Sequence, residues 1–282
     1  MGLGWNGMMM AMALVAAPLA ARATPPRPDD PIGSGEAGGD ASPQVPAKPI
    51  DARSATATAP PCKKDGSAPF VYAIGGSTMQ IVFGPMLGKR LAKDGFKVEK
   101  LGKSASGLAR FDYYDWPEQA RTILAASDPD VFVVAIGSND GQSLREVGGK
   151  WFPLDRPEWR VEYARRIDAF LDELAGKDRH RAVIWLGPAA HSVDEKRRRG
   201  KVVGDVIRER VKAFDGRAWY VDVFARTSTA DGGALNELRV PGSDDPVALR
   251  TADGFHLTRP GVESIQLAPV MAILGRCQVG GH

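Results

Sequence analysis

Five short runs alternate with longer segments of helical spacing: Phe70–Ile74 (FVYAI), Lys97–Leu101 (KVEKL), Asp130–Gly137 (DVFVVAIG), Arg181–Pro188 (RAVIWLGP) and Ala218–Phe224 (AWYVDVF). That alternation constrains the fold more than any other feature of the chain. Short, nearly continuous apolar runs read as strands buried on both faces, and DVFVVAIG is the clearest of them. Between them the spacing predicts helices over Gln80–Lys93, with Leu87 and Leu91 inward, Pro117–Ala126, Pro157–Ala175 and Asp194–Phe214. Gly200 is a candidate interruption in the last, and Pro260–Leu274 reads as a closing helix. Parallel strands need crossovers of a dozen or more residues, and these segments supply them. The expectation is one α/β domain from about residue 69 onward, a three-layer sandwich around a five-stranded parallel sheet. No internal repeat is visible.

The residues before that domain have a different character. Met8–Ala20 (MMMAMALVAAPLA) is an apolar run of 13 residues, short for a bilayer span. Ala21-Arg22-Ala23 follows as a small-x-small cleavage site. Residues 1–23 therefore read as a signal peptide, although residues 2–7 hold no Lys or Arg; an uncleaved membrane anchor is the alternative. Residues 24–68 hold nine of the chain's 21 prolines and few large apolar side chains, the composition of a disordered linker. Residues 69–282 form the domain. The expected location is periplasmic or secreted. An oxidising compartment makes Cys62 and Cys277, one just before the first strand and one just after the last helix, a disulfide candidate; two free thiols are the alternative. Net charge is only +3 and no nucleic-acid motif is present, so nucleic acid is not an expected partner.

In parallel α/β sheets, sites form beyond the carboxyl ends of the strands. Four segments far apart in sequence reach that edge. Ser77 follows strand one in Gly75-Gly76-Ser77, and SASGLAR (Ser104–Arg110), with Gly107, follows strand two. GSND (Gly137–Asp140) follows strand three, and DGFH (Asp253–His256) precedes the last helix. Each has a plain reading: Ser77 as a helix N-cap, the others as turns. Together they bring a hydroxyl, an amide, a glycine backbone, a carboxylate and an imidazole, which is the inventory for acyl transfer by an activated serine. Of the four histidines, His180 lies before strand four at the opposite edge and His282 is terminal. His191, after strand four, is the only rival to His256 at the site edge.

These blocks resemble the SGNH (GDSL-type) hydrolase superfamily, here its exported bacterial esterase-like branch. The match rests on G-G-S at 75–77, glycine 107, G-S-N-D at 137–140 and D-G-F-H at 253–256, in order. The resemblance implies a flavodoxin-like α/β sandwich with Ser77 as nucleophile, His256 as general base and Asp253 as the group orienting it. It implies an oxyanion hole from the N–H groups of Ser77 and Gly107 and the side chain of Asn139. Gly76 stands where the family usually has Asp, a departure outside the catalytic groups. Aromatic loops Phe111–Pro117 and Lys150–Trp159 make Trp116 and Trp151, together with His191, the expected substrate contacts. The expected substrate is an O-acyl ester, O-acetyl first among them, on a carbohydrate or other small ester. Neither metal nor organic cofactor is expected. Two readings stay open beside hydrolysis: an O-acyltransferase acting on an extracytoplasmic polysaccharide, with a membrane acyltransferase or glycan-synthesis protein as partner, and a non-catalytic glycan-binding module.

Overall fold

The computed structural model describes residues 69–146, 149–240 and 245–275. Residues 1–68, where the signal peptide and linker are expected, together with Cys62, Cys277 and His282, lie outside the described residues.

Five strands build one parallel sheet: β1 (Val71–Gly75), β2 (Val98–Gly102), β3 (Val131–Ala135), β4 (Ala182–Leu186) and β5 (Ala218–Val221). Their order is β2-β1-β3-β4-β5, with Val71 paired to Val98 on one side and to Val131 on the other. The expected sandwich is thus the one found. The lysine- and glutamate-bearing run KVEKL makes the edge strand β2, whose Glu99 and Lys100 are exposed; only an edge leaves such side chains in water.

Alternate residues of the strands face opposite layers. Ile74, Phe132, Val134, Val183 and Trp185 pack under α3 (Trp116–Ala126), α4 (Pro157–Ala175) and α5 (Asp194–Ala213). Val71, Ala73, Val131, Val133 and Ile184 pack under α2 (Phe83–Lys93) and the closing segment Arg259–Leu274. Each fully buried Phe, Leu or Val in these layers is worth about 1.5–3 kcal/mol of transfer free energy. Among the described residues no helix is long and apolar enough to cross a membrane.

The elements depart from the spacing in four places. The first helix starts at Ser77 rather than Gln80 and breaks at Val82, so that α1 (Ser77–Ile81) and α2 are separate. Helix α5 runs through Gly200 without interruption, because one helical glycine costs only about 1 kcal/mol against alanine and the helix is held by its buried face of Val203, Val206, Ile207 and Val211. The closing helix contains a π-helical turn, Glu263–Leu267. Strand β5 stops at Val221, and Asp222 caps a short turn of helix by accepting from Ala225 N. Two small antiparallel hairpins, 144–145 with 151–152 and 237–238 with 247–248, escaped the pattern because two-residue strands have no period to read.

Candidate active site

The order β2-β1-β3 puts the reversal of winding between β1 and β3, and crevices open at such a reversal. Ser77 leaves β1 at that point. The N-cap of α1 is Gly76 and no side chain caps it, so Ser77 is not the capping residue. Its hydroxyl instead lies 2.8 Å from Nε2 of His256. The other ring nitrogen, Nδ1, lies 2.6 Å from Oδ2 of Asp253. Residues separated by 179 positions thus form one relay.

Asp253 is fixed by its own turn. Its Oδ1 accepts from the hydroxyl of Thr251 (2.7 Å) and from the N–H groups of Phe255 (2.8 Å) and His256 (2.9 Å). Burial pushes this carboxyl up, but the His256 ring and these three donors together outweigh it and hold it well below the usual carboxylate range. An ionised carboxylate facing Nδ1 keeps the proton on that nitrogen and leaves Nε2 free to accept from Ser77.

The donors meet the same edge. Ser77 N opens α1, where no carbonyl four residues back can accept from it. Asn139 Nδ2 donates to Ser106 O (3.0 Å), and an amide nitrogen has a second proton left. Gly107 lies beside them, and its N–H engages no backbone carbonyl of the described residues. It has to be glycine: a Cβ there would stand 2.0 Å from Oδ1 of Asp140. At Gly76, the departure from the family pattern, a Cβ would stand 3.3 Å from Asn139 Nδ2, so a bare backbone lets that amide sit close.

A family model described as "Protein of unknown function (DUF459)" matches residues 70–270, which spans all four blocks. The chain belongs to the DUF459 family. No curated protein matches it. Among solved structures it is similar to Est24, a carbohydrate acetylesterase from Sinorhizobium meliloti, at 14% identity over 74% of this chain and 99% of that one, with a TM-score of 0.50. It is also similar to the native M. Smegmatis aryl esterase, at 12% identity over 74% of this chain and 99% of that one, with a TM-score of 0.47. At such identities the first likeness speaks for the fold, and the second adds no argument. The DUF459 chain therefore carries the SGNH-type architecture that its four blocks resemble.

The remaining expected contacts fare differently. Trp116 is fully buried and donates its indole N–H to Ser106 Oγ (3.0 Å). This corrects the expectation of a substrate contact: the ring supports the loop that carries Gly107, because α3 turns it inward on the apolar stripe with Ala120 and Ile123. Trp151 is 54% exposed, and the Arg145 guanidinium lies 5.4 Å from its ring centre. His191 is buried with its ring stacked on Phe255, which in turn sets its edge against His256. Burial, then Lys196 and Arg250, push the His191 imidazole down, toward its neutral form. Its Nδ1 accepts from Val193 N (2.9 Å), so it shapes the wall behind the base rather than competing with it.

Several residues at the site have no role that the sequence blocks assign. Asp140 is fully buried and accepts from Leu108 N, Ala109 N and the hydroxyl of Tyr163. Burial pushes its carboxyl up, while those donors and Arg166 pull the other way. Arg166 and Glu162 form a buried ion pair on α4 (2.7 Å). One signal was available for them: both fall on the inward face of α4 with Trp159, Tyr163 and Phe170. Among the described residues no cluster of His, Cys, Asp and Glu could hold a metal ion.

Proposed function

We propose that this chain is a serine esterase that hydrolyses O-acyl esters, O-acetyl esters of carbohydrates first among them, outside the cytoplasm. The observation that carries the reading is the continuous relay from Ser77 Oγ to His256 Nε2 (2.8 Å) and from His256 Nδ1 to Asp253 Oδ2 (2.6 Å). The N-terminal apolar run with its cleavage site supports export. The fold shared with an enzyme described as a carbohydrate acetylesterase supports the choice of ester.

In this reading Ser77 Oγ attacks the ester carbonyl carbon while His256 Nε2 takes the hydroxyl proton. The carbonyl electron pair moves onto oxygen, where Ser77 N–H, Gly107 N–H and Asn139 Nδ2 donate to it. Asp253 stabilises the imidazolium without taking its proton. Collapse of the intermediate expels the alcohol, which receives the proton from His256 and leaves an acyl-Ser77. Water, deprotonated by His256, repeats the addition and releases the acid.

The test is hydrolysis of p-nitrophenyl acetate and release of acetate from acetylated sugars by the purified chain, with fluorophosphonate labelling mapped by mass. Hydrolysis that disappears in Ser77→Ala, with the label on Ser77, supports the reading. A label on another residue, or hydrolysis that survives Ser77→Ala, overturns it. Products formed with a sugar acceptor present separate hydrolysis from acyl transfer, since both use the same relay.

A further inference from the structure

The Gly107 loop is held from both sides by side-chain hydrogen bonds. On its near side Ser106 O accepts from Asn139 Nδ2 (3.0 Å). On its far side Leu108 N and Ala109 N donate to the two oxygens of Asp140, at 3.1 and 2.8 Å. The carbonyls of the same two residues accept from Nη1 of Arg166, at 2.8 and 3.2 Å. Arg166 Nη2 donates to Arg145 O (3.0 Å), and its Nε to Glu162 (2.7 Å). The Asp140 carboxylate is itself anchored to α4 by Tyr163 Oη (2.9 Å). Both charged groups are buried, Asp140 at 0% exposure and Arg166 at 3%. The peptides on either side of Gly107 are therefore fixed while its own N–H is left without a backbone partner among the described residues.

A buried charge is costly unless its hydrogen bonds are met, so this arrangement is an expensive way to hold one loop. A donor to a developing oxyanion has to be placed before reaction, because its value lies in needing no reorganisation. We propose that Asp140 and Arg166 are positioning residues that clamp residues 108 and 109 from their N–H and C=O sides and so aim the Gly107 N–H at the oxyanion. The inference rests on the esterase reading above. Neither group touches the reacting atoms; each acts through the loop.

The experiment measures kcat and KM for p-nitrophenyl acetate in wild type, Asp140→Asn and Arg166→Lys, with kcat divided by the Ser77 sites titrated to completion with a fluorophosphonate. Asparagine cannot accept from both N–H groups and Tyr163 at once, because one of its ends is a donor. Lysine keeps the charge beside Glu162 but lacks the planar fork that reaches three carbonyls. Losing an oxyanion donor outright costs about 10²–10³ in rate. A misaimed donor is expected to lower kcat per titrated site by about 10- to 100-fold, with KM within about threefold. A purely structural role lowers the titrated fraction and leaves kcat per site unchanged, and that result overturns the proposal. If Asp140→Asn does not accumulate as folded protein, Arg166→Lys alone decides by the same criterion. A wild type that neither labels at Ser77 nor hydrolyses overturns the esterase reading and this inference with it. A competent wild type with unchanged variants overturns this inference alone.

Discussion

Ala105 sits at φ 60°, in the left-handed region that alanine avoids, two residues before Gly107. Such strain persists where surroundings over-determine the backbone, and here Gln80 accepts from Ser104 N and Oγ on one side while Ser106 Oγ donates to Lys103 O. Ala105→Gly is expected to raise stability by about 0.5–1 kcal/mol, seen as a higher urea midpoint at constant slope; relief of the left-handed strain exceeds the added unfolded-state freedom. Asp253 is a second single-residue case. Its folded-state value lies below the unfolded value of about 3.9, so its stabilising contribution is present above that pH and is lost as pH falls through the depressed value. Asp253 is therefore expected to add no step of its own to a kcat/KM profile above about pH 4. Asp253→Asn is expected to lower kcat by about 10³–10⁴ in a pH-rate series, since the wrong imidazole tautomer is then favoured. The motif residues Ser77, Asn139, Asp253 and His256 were legible because their chemistry is rare and their segments end at one sheet edge. Asp140 belongs to the matched GSND block, but nothing in GSND says that its carboxylate turns under Gly107.

At the scale of elements, α3 shows how local signals and site geometry combine. Asp115 caps it by accepting from Glu118 N (3.0 Å), with Pro117 in the first turn. Asp115→Ala is expected to cost about 1 kcal/mol, measured as a fall in thermal midpoint, while kcat stays near wild type because Trp116 still packs inward. Helix α4 was legible to its end residues, since it starts on Pro157 and ends before Gly176, which has φ 78°. Its polar inward residues were not read as such: a charge pair on an apolar stripe looks like surface until the partner loop is in place. The break at Val82 and the π turn at 263–267 were also invisible, because both keep the apolar spacing that the eye follows while changing the backbone bonds beneath it.

For the whole molecule, the central strands carry both stability and the site. Trp185 on β4 is fully buried, packs edge-on against Phe170 of α4, and donates its indole N–H to Ile136 O (2.9 Å), one residue before the GSND block. Trp185→Ala is expected to cost about 3–5 kcal/mol in urea unfolding, with a loss of activity that follows the loosened exit of β3. Amino-acid order alone determined the layered fold, the parallel sheet and the identity of the side chains that form the Ser77–His256–Asp253 relay. Those follow from period, length and residue chemistry, which are local properties. Tertiary structure alone decided the strand order that sets Ser77 at the reversal of winding, the inward turn of Trp116, and the carboxylate and guanidinium gripping the Gly107 loop. Each of these depends on which distant segment lies opposite, and burial gives a charged or aromatic side chain its meaning only once that neighbour is there.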